Sequence, residues 1–267
     1  MIKIRVSSLP YYADCPRKWA RKSLPKEMLE GLGFETQPYI PYVYATMGTG
    51  THTGVALALN RKIDGIVLPN PLDDLYQAGI ESFRENIHDG VVWDKTTNNI
   101  NTAEKQIQNV LRAYYHAVLP NIEPTGVELG LEAKIDDYFF LSGHMDANSE
   151  KAINDFKNGV RDPKASVQMG GYGILRIANN LGKPEELIID HIPRTSLKKP
   201  QEMPKSIKYD VAVSMEEAKA IYKHIIRDTN EFMNSGDPSC FLANNHSNLC
   251  ASKYCSAHGT NWCKLTK

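Results

Sequence analysis

Three strand-like segments follow one another in the middle of the chain, and they constrain its fold more than any other feature. The apolar pattern changes from helical to strand spacing at residues 126–135, 138–147 and 151–157. Short polar turns, Asp136-Asp137 and Asn148-Ser149-Glu150, separate the segments. Strands joined by turns this short pair with their neighbours as antiparallel hairpins. The stretch therefore predicts a β-meander whose apolar face must be covered by other elements.

Helices predicted on either side of the meander in the sequence can cover that face. Helices are predicted over residues 8–22, 46–60, 71–88, 102–119 and 163–180, and from a capping-box pattern at Ser214 and Glu217 to about 234. Two more strands are predicted at 186–192 and 208–213, and irregular structure at 23–45 and after Gly236. This order of elements predicts an α/β fold with a central mixed β-sheet flanked by helices.

Charge and hydropathy exclude several classes of protein. Basic and acidic residues number 31 each, so a uniformly basic surface is excluded, although a local basic groove is not. No apolar run approaches the roughly 18 residues of a membrane helix, and the first residues lack the apolar stretch of a signal peptide. We expect no membrane association and a reducing, cytoplasmic location. The 267 residues suffice for one large domain with a substantial core.

The cysteines indicate a metal site rather than a disulfide framework. The chain has five cysteines. Cys15 lies near the start, and the other four fall within the last 28 residues: Cys240, Cys250, Cys255 and Cys263. An odd number in a chain without a signal peptide argues against paired disulfides. Four thiolates from Cys15, Cys250, Cys255 and Cys263 would suit a [4Fe–4S] cluster or a structural Zn²⁺. Alternatively, Cys250, Cys255, His258 and Cys263 would form a local zinc site, with Cys15 and Cys240 as buried thiols.

Two carboxylates and a lysine come together on the predicted hairpin. Asp146 ends one strand, and Asp155 lies near the end of the next. Asp155 and Lys157 are two residues apart on a strand, so their side chains share a face. Paired carboxylates suit Mg²⁺ or Mn²⁺, and a neighbouring ammonium group can stabilise the charge that develops during phosphodiester hydrolysis. The alternative is a solvated strand edge with a surface ion pair.

Polar residues on two predicted helices add to this hairpin. His52 follows Gly48-Thr49-Gly50-Thr51 near the start of an apolar helix, where it would be either a structural histidine or an imidazole ligand. Gln168 and Tyr172 are four residues apart, so they lie on one helix face. They would contact a nucleic-acid strand, position the catalytic residues, or form a partly buried polar pair.

Taken in order, these motifs resemble a known family. Gly-x-x-x-His, Gly-x-x-Asp, Asp-x-Lys and Gln-x-x-x-Tyr, spanning residues 48–172, are similar to the motifs of the PD-(D/E)XK nuclease superfamily. The resemblance is to the branch of the RecB nuclease domain, the AddB nuclease and the CRISPR-adaptation nuclease. It implies a restriction-endonuclease-like core and metal-dependent cleavage of DNA. It also implies that His52, Asp146, Asp155 and the backbone carbonyl of Phe156 bind Mg²⁺ or Mn²⁺, with Lys157 as a catalytic residue.

The resemblance extends to the cysteines. Cys15 lies in a Cys-Pro-Arg motif near one end of the chain, and three cysteines lie near the other, as in the iron–sulfur members of this branch. Four and seven residues separate the last three cysteines, a wider spacing than in those members. The resemblance implies one nuclease domain over 1–267, whose ends at 1–30 and 236–267 form a cysteine-cluster subdomain. The catalytic core would span 46–235, with a helical insertion at about 64–120.

Two short basic stretches are candidates for binding DNA. Residues 1–30 contain seven basic and three acidic side chains, and residues 191–208 contain five and one. Such patches neutralise phosphates or simply form a solvated surface. We predict that Arg17, Lys18 and Arg21 contact DNA, together with Gln168 and Tyr172.

We therefore expect a metal-dependent DNA exonuclease that acts in recombination, repair or DNA processing. Its substrate would be DNA that is single-stranded or has accessible ends. The chain has no Gly-x-x-x-x-Gly-Lys-[Ser/Thr] motif, so unwinding would require a helicase or recombination protein as partner. One alternative is a non-catalytic nucleic-acid-binding module on the same fold. Another is a redox- or metal-sensing protein in which the cysteines carry the function.

Overall fold

The computed structural model describes residues 1–34, 40–67 and 69–264. Over these residues the chain forms a six-stranded mixed sheet flanked by helices, which confirms the predicted α/β class. The strands are β1 (Ile2–Arg5), β2 (Pro124–Lys134), β3 (Phe139–Ser149), β4 (Ala152–Lys157), β5 (Glu186–His191) and β6 (Lys205–Tyr209). The α-helices in the described part are α1 (Leu9–Asp14), α2 (Pro16–Ser23), α3 (Lys26–Gly31), α4 (Val43–Ile63), α5 (Pro71–Asn86), α6 (Ile100–Ala117), α7 (Ser166–Ala178) and α8 (Val211–Ser235).

Strand β3 lies at the centre of the sheet. β2 pairs antiparallel along one edge of β3, with Leu129 opposite Met145. On the other edge, β1 pairs in parallel with the first residues of β3, and β4 pairs antiparallel with its last ones, with Ala147 opposite Asn154. β4 continues in parallel with β5, and β5 is antiparallel to β6. The three central strands thus form the predicted meander.

The sheet separates two apolar cores. Ile153 of β4 belongs to the core that includes α7, α8 and the N-terminal helices. Phe156 of the same strand belongs to the core formed with α4, α5 and α6. Side chains alternate between the two faces of a strand, so Asp155 shares the face of Ile153, toward α7. Lys157 lies on the same face at the strand end.

Helices α7 and α8 cross closely because a glycine stands at their contact. A Cβ atom at Gly170 would lie 1.8 Å from the backbone oxygen of Ser214, so any larger residue would force the helices apart. The Ser214 side chain is buried and hydrogen-bonds the Ser166 hydroxyl of α7 at 2.9 Å. The predicted capping box at Ser214 is therefore wrong, because this serine contacts the neighbouring helix. Asp210 caps α8 instead and accepts the Val213 N–H at 2.8 Å.

Other differences from the predicted elements have local causes. The predicted strand at 208–213 is wrong in its second half, because the Asp210 cap starts a helix there. The predicted helix at 8–22 is divided at Cys15, whose backbone is extended (φ −155°, ψ 99°), since a residue before proline disfavours helical geometry. Strand β1 was not predicted, because its four residues are too few to establish a period. The predicted irregular stretch at 23–45 contains the short helix α3 and the first residues of α4, and its residues 35–39 lie outside the described ranges.

None of the helices in the described ranges is both long enough and apolar enough to cross a membrane.

Candidate metal-binding active site and cysteine pocket

The β3–β4 hairpin brings the predicted acidic residues together. The β3–β4 pairing ends at Ala147 and Asn154, and Asp146 and Asp155 are the next residues of the two strands. The Asp155 side chain is only 1% exposed, and its carboxylate forms an ion pair with the ammonium of Lys157. Because these two residues share a strand face, the pair follows from the local β geometry.

Helix α4 supplies a histidine to the same point. His52 Nδ1 lies 3.2 Å from Oδ1 of Asp146, and the His52 ring packs edge-on against Phe156. The second oxygen of Asp146 accepts the backbone N–H of Phe156 at 2.6 Å. The Asp146 carboxylate therefore connects α4 with β4. The predicted residues His52, Asp146, Asp155, Phe156 and Lys157 lie together at this site.

Helix α7 provides two buried polar residues behind Asp155. The Gln168 side-chain N–H group donates to Oδ1 of Asp155 at 3.0 Å and to the Tyr172 hydroxyl at 3.1 Å. Gln168 is 5% exposed and Tyr172 is 3% exposed, so neither presents a surface to a DNA strand. The predicted DNA contact is corrected for both residues, and the geometry favours the positioning role that the sequence left open.

The structure adds a carboxylate that the sequence analysis missed. Glu128 lies on β2 between the pairs that place Val127 and Leu129 opposite β3, and so faces Asp146. One potential ligand atom from each of His52, Glu128 and Asp146 lies within 4.8 Å of the other two. This is the single such group of histidine, cysteine and acidic residues in the described part of the chain, and Asp155 is not part of it. The predicted two-residue turn at 136–137 would have placed Met145, not Asp146, opposite Glu128, because the observed register, with Lys134 opposite Phe140, is offset by one residue.

The environment shifts the pKa values of the two hairpin aspartates in opposite directions. Burial and repulsion by Asp146 raise the pKa of Asp155 to about 6, although Lys157 opposes the shift. Burial also disfavours ionisation of Asp146, but His52, Lys157 and the Phe156 N–H hold its pKa below the usual value. A site that crowds two carboxylates in this way favours a bound cation.

The basic residues of this site have pKa values above their usual range. Burial lowers the pKa of His52, but the contact with Asp146 outweighs it. Burial likewise lowers the pKa of Lys157, but the attraction of Asp155 and Asp146 raises this pKa by more than burial lowers it. Lys157 is therefore held as an ammonium ion beside the carboxylates.

Four cysteines from opposite ends of the chain line one pocket. Its lining contains four cysteine side chains and a histidine: Cys15, Cys250, Cys255, Cys263 and His258. All five cysteines of the chain are free thiols. Cys240 is absent from the lining and instead lies 3.3 Å from the Ser235 hydroxyl. The ligands of both predicted cysteine sites thus share a single pocket.

The spacing of the sulfur atoms bears on which metal group fits this pocket. Tetrahedral Zn²⁺ with Zn–S distances of about 2.3 Å brings its sulfur ligands within about 3.8 Å of one another. Among the described residues, no three of these cysteine and histidine ligand atoms lie within 4.8 Å of one another. Lys18 also lines the pocket, and its charge opposes the rise that burial causes in the pKa of the Cys255 thiol. In every trio of these cysteine and histidine ligand atoms at least one distance therefore exceeds the spacing around a single bound zinc ion.

The predicted DNA-binding arginines face the C-terminal segment. Arg17 Nε donates to the backbone oxygen of Phe241 at 3.0 Å. Arg21 is 8% exposed, and burial lowers its pKa, although Cys255 and Glu30 oppose the shift. Arg21 is therefore buried too deeply to present its guanidinium group to DNA, and its predicted DNA contact is corrected. Arg17 connects the two chain ends, but it is only half-buried, and its DNA contact stays a prediction. Lys18 likewise faces the cysteine pocket.

Comparisons with protein-family models, with curated proteins and with solved structures found no match to this chain. The resemblance to the nuclease superfamily therefore depends on the motif residues and on their arrangement in the fold.

Proposed function

We propose that the protein is a metal-dependent deoxyribonuclease of the PD-(D/E)XK type that hydrolyses phosphodiester bonds in DNA. The observation that carries the proposal is the ion pair of buried Asp155 with half-buried Lys157 next to the His52–Asp146 contact. Asp155 is 1% exposed, and burying charged groups is costly unless they are paired or used. Strand β4 and helix α4 bring these groups to one point from distant parts of the sequence. The choice of an exonuclease rather than an endonuclease rests on the family resemblance.

The residues fit a divalent cation with hard oxygen ligands. His52, Asp146, Asp155 and the carbonyl of Phe156 would hold Mg²⁺ or Mn²⁺, and Glu128 would add a further carboxylate. When bound, such a cation lowers the pKa of a water molecule and neutralises phosphate charge. The raised pKa of Asp155 reflects crowding with Asp146, which a cation would relieve.

The protein's own groups then have distinct roles. Lys157, held as an ammonium ion by Asp155, would stabilise the negative charge that develops on the phosphate. The Phe156 N–H fixes one oxygen of Asp146, and His52 contacts the other. Gln168 fixes the orientation of Asp155 from α7. These contacts hold the site's geometry before substrate binds, which reduces the reorganisation needed during the reaction.

The cysteine pocket has a structural role in this proposal. Cys15, Cys250, Cys255 and Cys263 would hold a [4Fe–4S] cluster that ties the two chain ends together. The choice of an iron–sulfur cluster over a structural Zn²⁺ rests on the family resemblance. The pocket belongs to a region in which Arg17 and Trp262 already connect the ends, since the Trp262 side chain donates to the Arg17 carbonyl at 2.9 Å.

Cleavage of end-labelled linear DNA tests the nuclease function. We expect degradation of single-stranded or double-stranded DNA with Mg²⁺ or Mn²⁺ and none with EDTA. Lys157→Ala and Asp155→Asn should each abolish it. Lys134→Ala is the matched control, because Lys134 forms an exposed ion pair with Asp137 at the β2–β3 turn and should retain full activity. Metal-independent cleavage, or full activity of Lys157→Ala, would contradict the proposed site.

A further inference from the structure

Three tyrosines form a contact between the start of α4 and the cysteine-bearing C-terminal segment. The rings of Tyr42 and Tyr44 are stacked, with centroids 5.4 Å apart and an interplanar angle of 14°. Tyr254 lies 6.1 Å from Tyr42 at a tilt of 35°. We propose that Tyr42, Tyr44 and Tyr254, the tyrosine platform, bind the bases of a single DNA strand that leads to the acidic site.

Exposure distinguishes the members of the platform. Tyr42 is partly buried, and its hydroxyl donates to the Lys253 carbonyl at 3.1 Å, so it anchors the two segments to each other. Tyr44 and Tyr254 are 46% and 41% exposed, which leaves much of their aromatic surface accessible. Every nucleobase has an aromatic face, so exposed tyrosine rings bind single strands with little sequence preference.

The ammonium group of Lys253 lies over two of the three rings. Lys253 Nζ lies 5.6 Å from the ring centroid of Tyr42 and 5.1 Å from that of Tyr254. Cation–π contacts of this kind hold a lysine beside an aromatic surface. A positive charge next to a stacking surface matches a nucleic-acid strand, in which each base carries a phosphate. This complementarity argues for single-stranded DNA rather than an apolar partner.

Helix α4 connects the platform to the acidic site. Tyr44, Gly48 and His52 are spaced by four residues, so they lie along one side of the helix. The distance from Tyr44 to His52 along the helix axis is about 12 Å. Gly48 leaves this side without a side chain, and a Cβ atom there would meet only Asn158 Oδ1, at 3.8 Å. Between Tyr44 and His52, this side of α4 therefore presents no side chain of its own to a strand that passes from the platform to the acidic site.

The inference rests on the proposed nuclease function only for where the strand leads, since binding itself needs no metal and no cleavage. It can therefore be tested in EDTA by fluorescence anisotropy, with the wild-type protein and a fluorescein-labelled oligothymidylate. We expect Tyr44→Ala to weaken binding by about tenfold, the effect of losing one stacked base. Tyr44→Phe should bind as the wild type does, because the ring is kept.

Tyr138→Ala is the matched control. Tyr138 is 66% exposed and lies at the β2–β3 turn, about 26 Å along β3 from Asp146. Its loss should leave binding unchanged. Equal binding by Tyr44→Ala and the wild type, or an equal loss in Tyr138→Ala, would overturn the platform.

A second measurement needs no substitution. Photo-crosslinking of wild-type protein to DNA that contains 5-iodouracil should label Tyr44 or Tyr254, whereas labelling confined to other residues would contradict the inference. The outcomes also separate the two proposals. Metal-dependent cleavage with a neutral Tyr44→Ala would reject the platform alone, whereas Tyr44-dependent binding by a protein that cleaves no DNA would reject the nuclease alone.

Discussion

Gln168 uses one side-chain amide to hold two buried groups. Its N–H group donates to Asp155 at 3.0 Å and to Tyr172 at 3.1 Å, and all three residues are at most 5% exposed. Replacing it with leucine removes both bonds and leaves a carboxylate oxygen and a hydroxyl buried without this donor. A hydrogen bond to a charged group contributes about 1.5–3 kcal/mol and a neutral one about 0.5–1.5 kcal/mol. We therefore expect Gln168→Leu to lower the free energy of unfolding by about 2–4 kcal/mol.

Tyr172→Phe isolates the neutral bond. It should cost about 1 kcal/mol, because only the hydroxyl is lost. The double variant removes the same bond only once, so its cost should fall short of the sum of the single costs by about 1 kcal/mol. Urea denaturation followed by circular dichroism measures all four proteins without metal. A cost for Gln168→Leu within 0.5 kcal/mol of zero, or strict additivity, would refute the reasoning.

A positioning role predicts a second effect that stability alone would not produce. If Gln168 orients Asp155 for a metal, its loss should weaken Mn²⁺ binding by about 10- to 100-fold, as is typical of residues that support metal ligands. Calorimetric titration with Mn²⁺, at a temperature where the variant is fully folded, measures this. Unchanged Mn²⁺ affinity would leave Gln168 with a purely structural role.

Three further substitutions test other parts of the account. Gly170→Ala should destabilise the protein by more than about 3 kcal/mol in urea denaturation, because its Cβ would lie 1.8 Å from the Ser214 oxygen, whereas Gly48→Ala, which meets nothing closer than 3.8 Å, should be neutral or stabilising by up to about 1 kcal/mol. Burial disfavours ionisation of Asp94, but hydrogen bonds from neighbouring hydroxyl and amide groups and a nearby guanidinium hold its pKa below the usual value. Its stabilising contribution is therefore present above about pH 4 and is lost as the pH falls through the folded-state pKa, so the difference in unfolding free energy between wild type and Asp94→Asn should shrink from pH 7 to pH 3. Cys255→Ser should remove the visible absorbance of an iron–sulfur cluster and lower the melting temperature, and a variant that retains both would contradict the cluster.

The sequence predicted those parts of the fold that depend on local patterns. The β3–β4 hairpin follows from its strand spacing and polar turn, and the Asp155–Lys157 pair follows from the two-residue period of a strand. The division of the N-terminal helix at Cys15 was missed, although Pro16 is a local signal for it.

Features that depend on packing between distant segments could not be predicted in the same way. The capping-box pattern at Ser214 was misread because Ser166, on another helix, binds that serine. Arg17 and Arg21 look like surface charges in the sequence, but Arg21 is buried and Arg17 donates to the Phe241 carbonyl of the C-terminal segment. Glu128 joins the acidic site only through the register of β2 against β3.

The central claim is that the acidic site holds a divalent cation, and anomalous X-ray scattering from crystals soaked in Mn²⁺ tests it most directly. The account predicts an anomalous peak in contact with His52, Asp146 and Asp155, and its loss in crystals of Asp155→Asn. A peak confined to other residues, or none at a Mn²⁺ concentration that supports DNA cleavage, would contradict it.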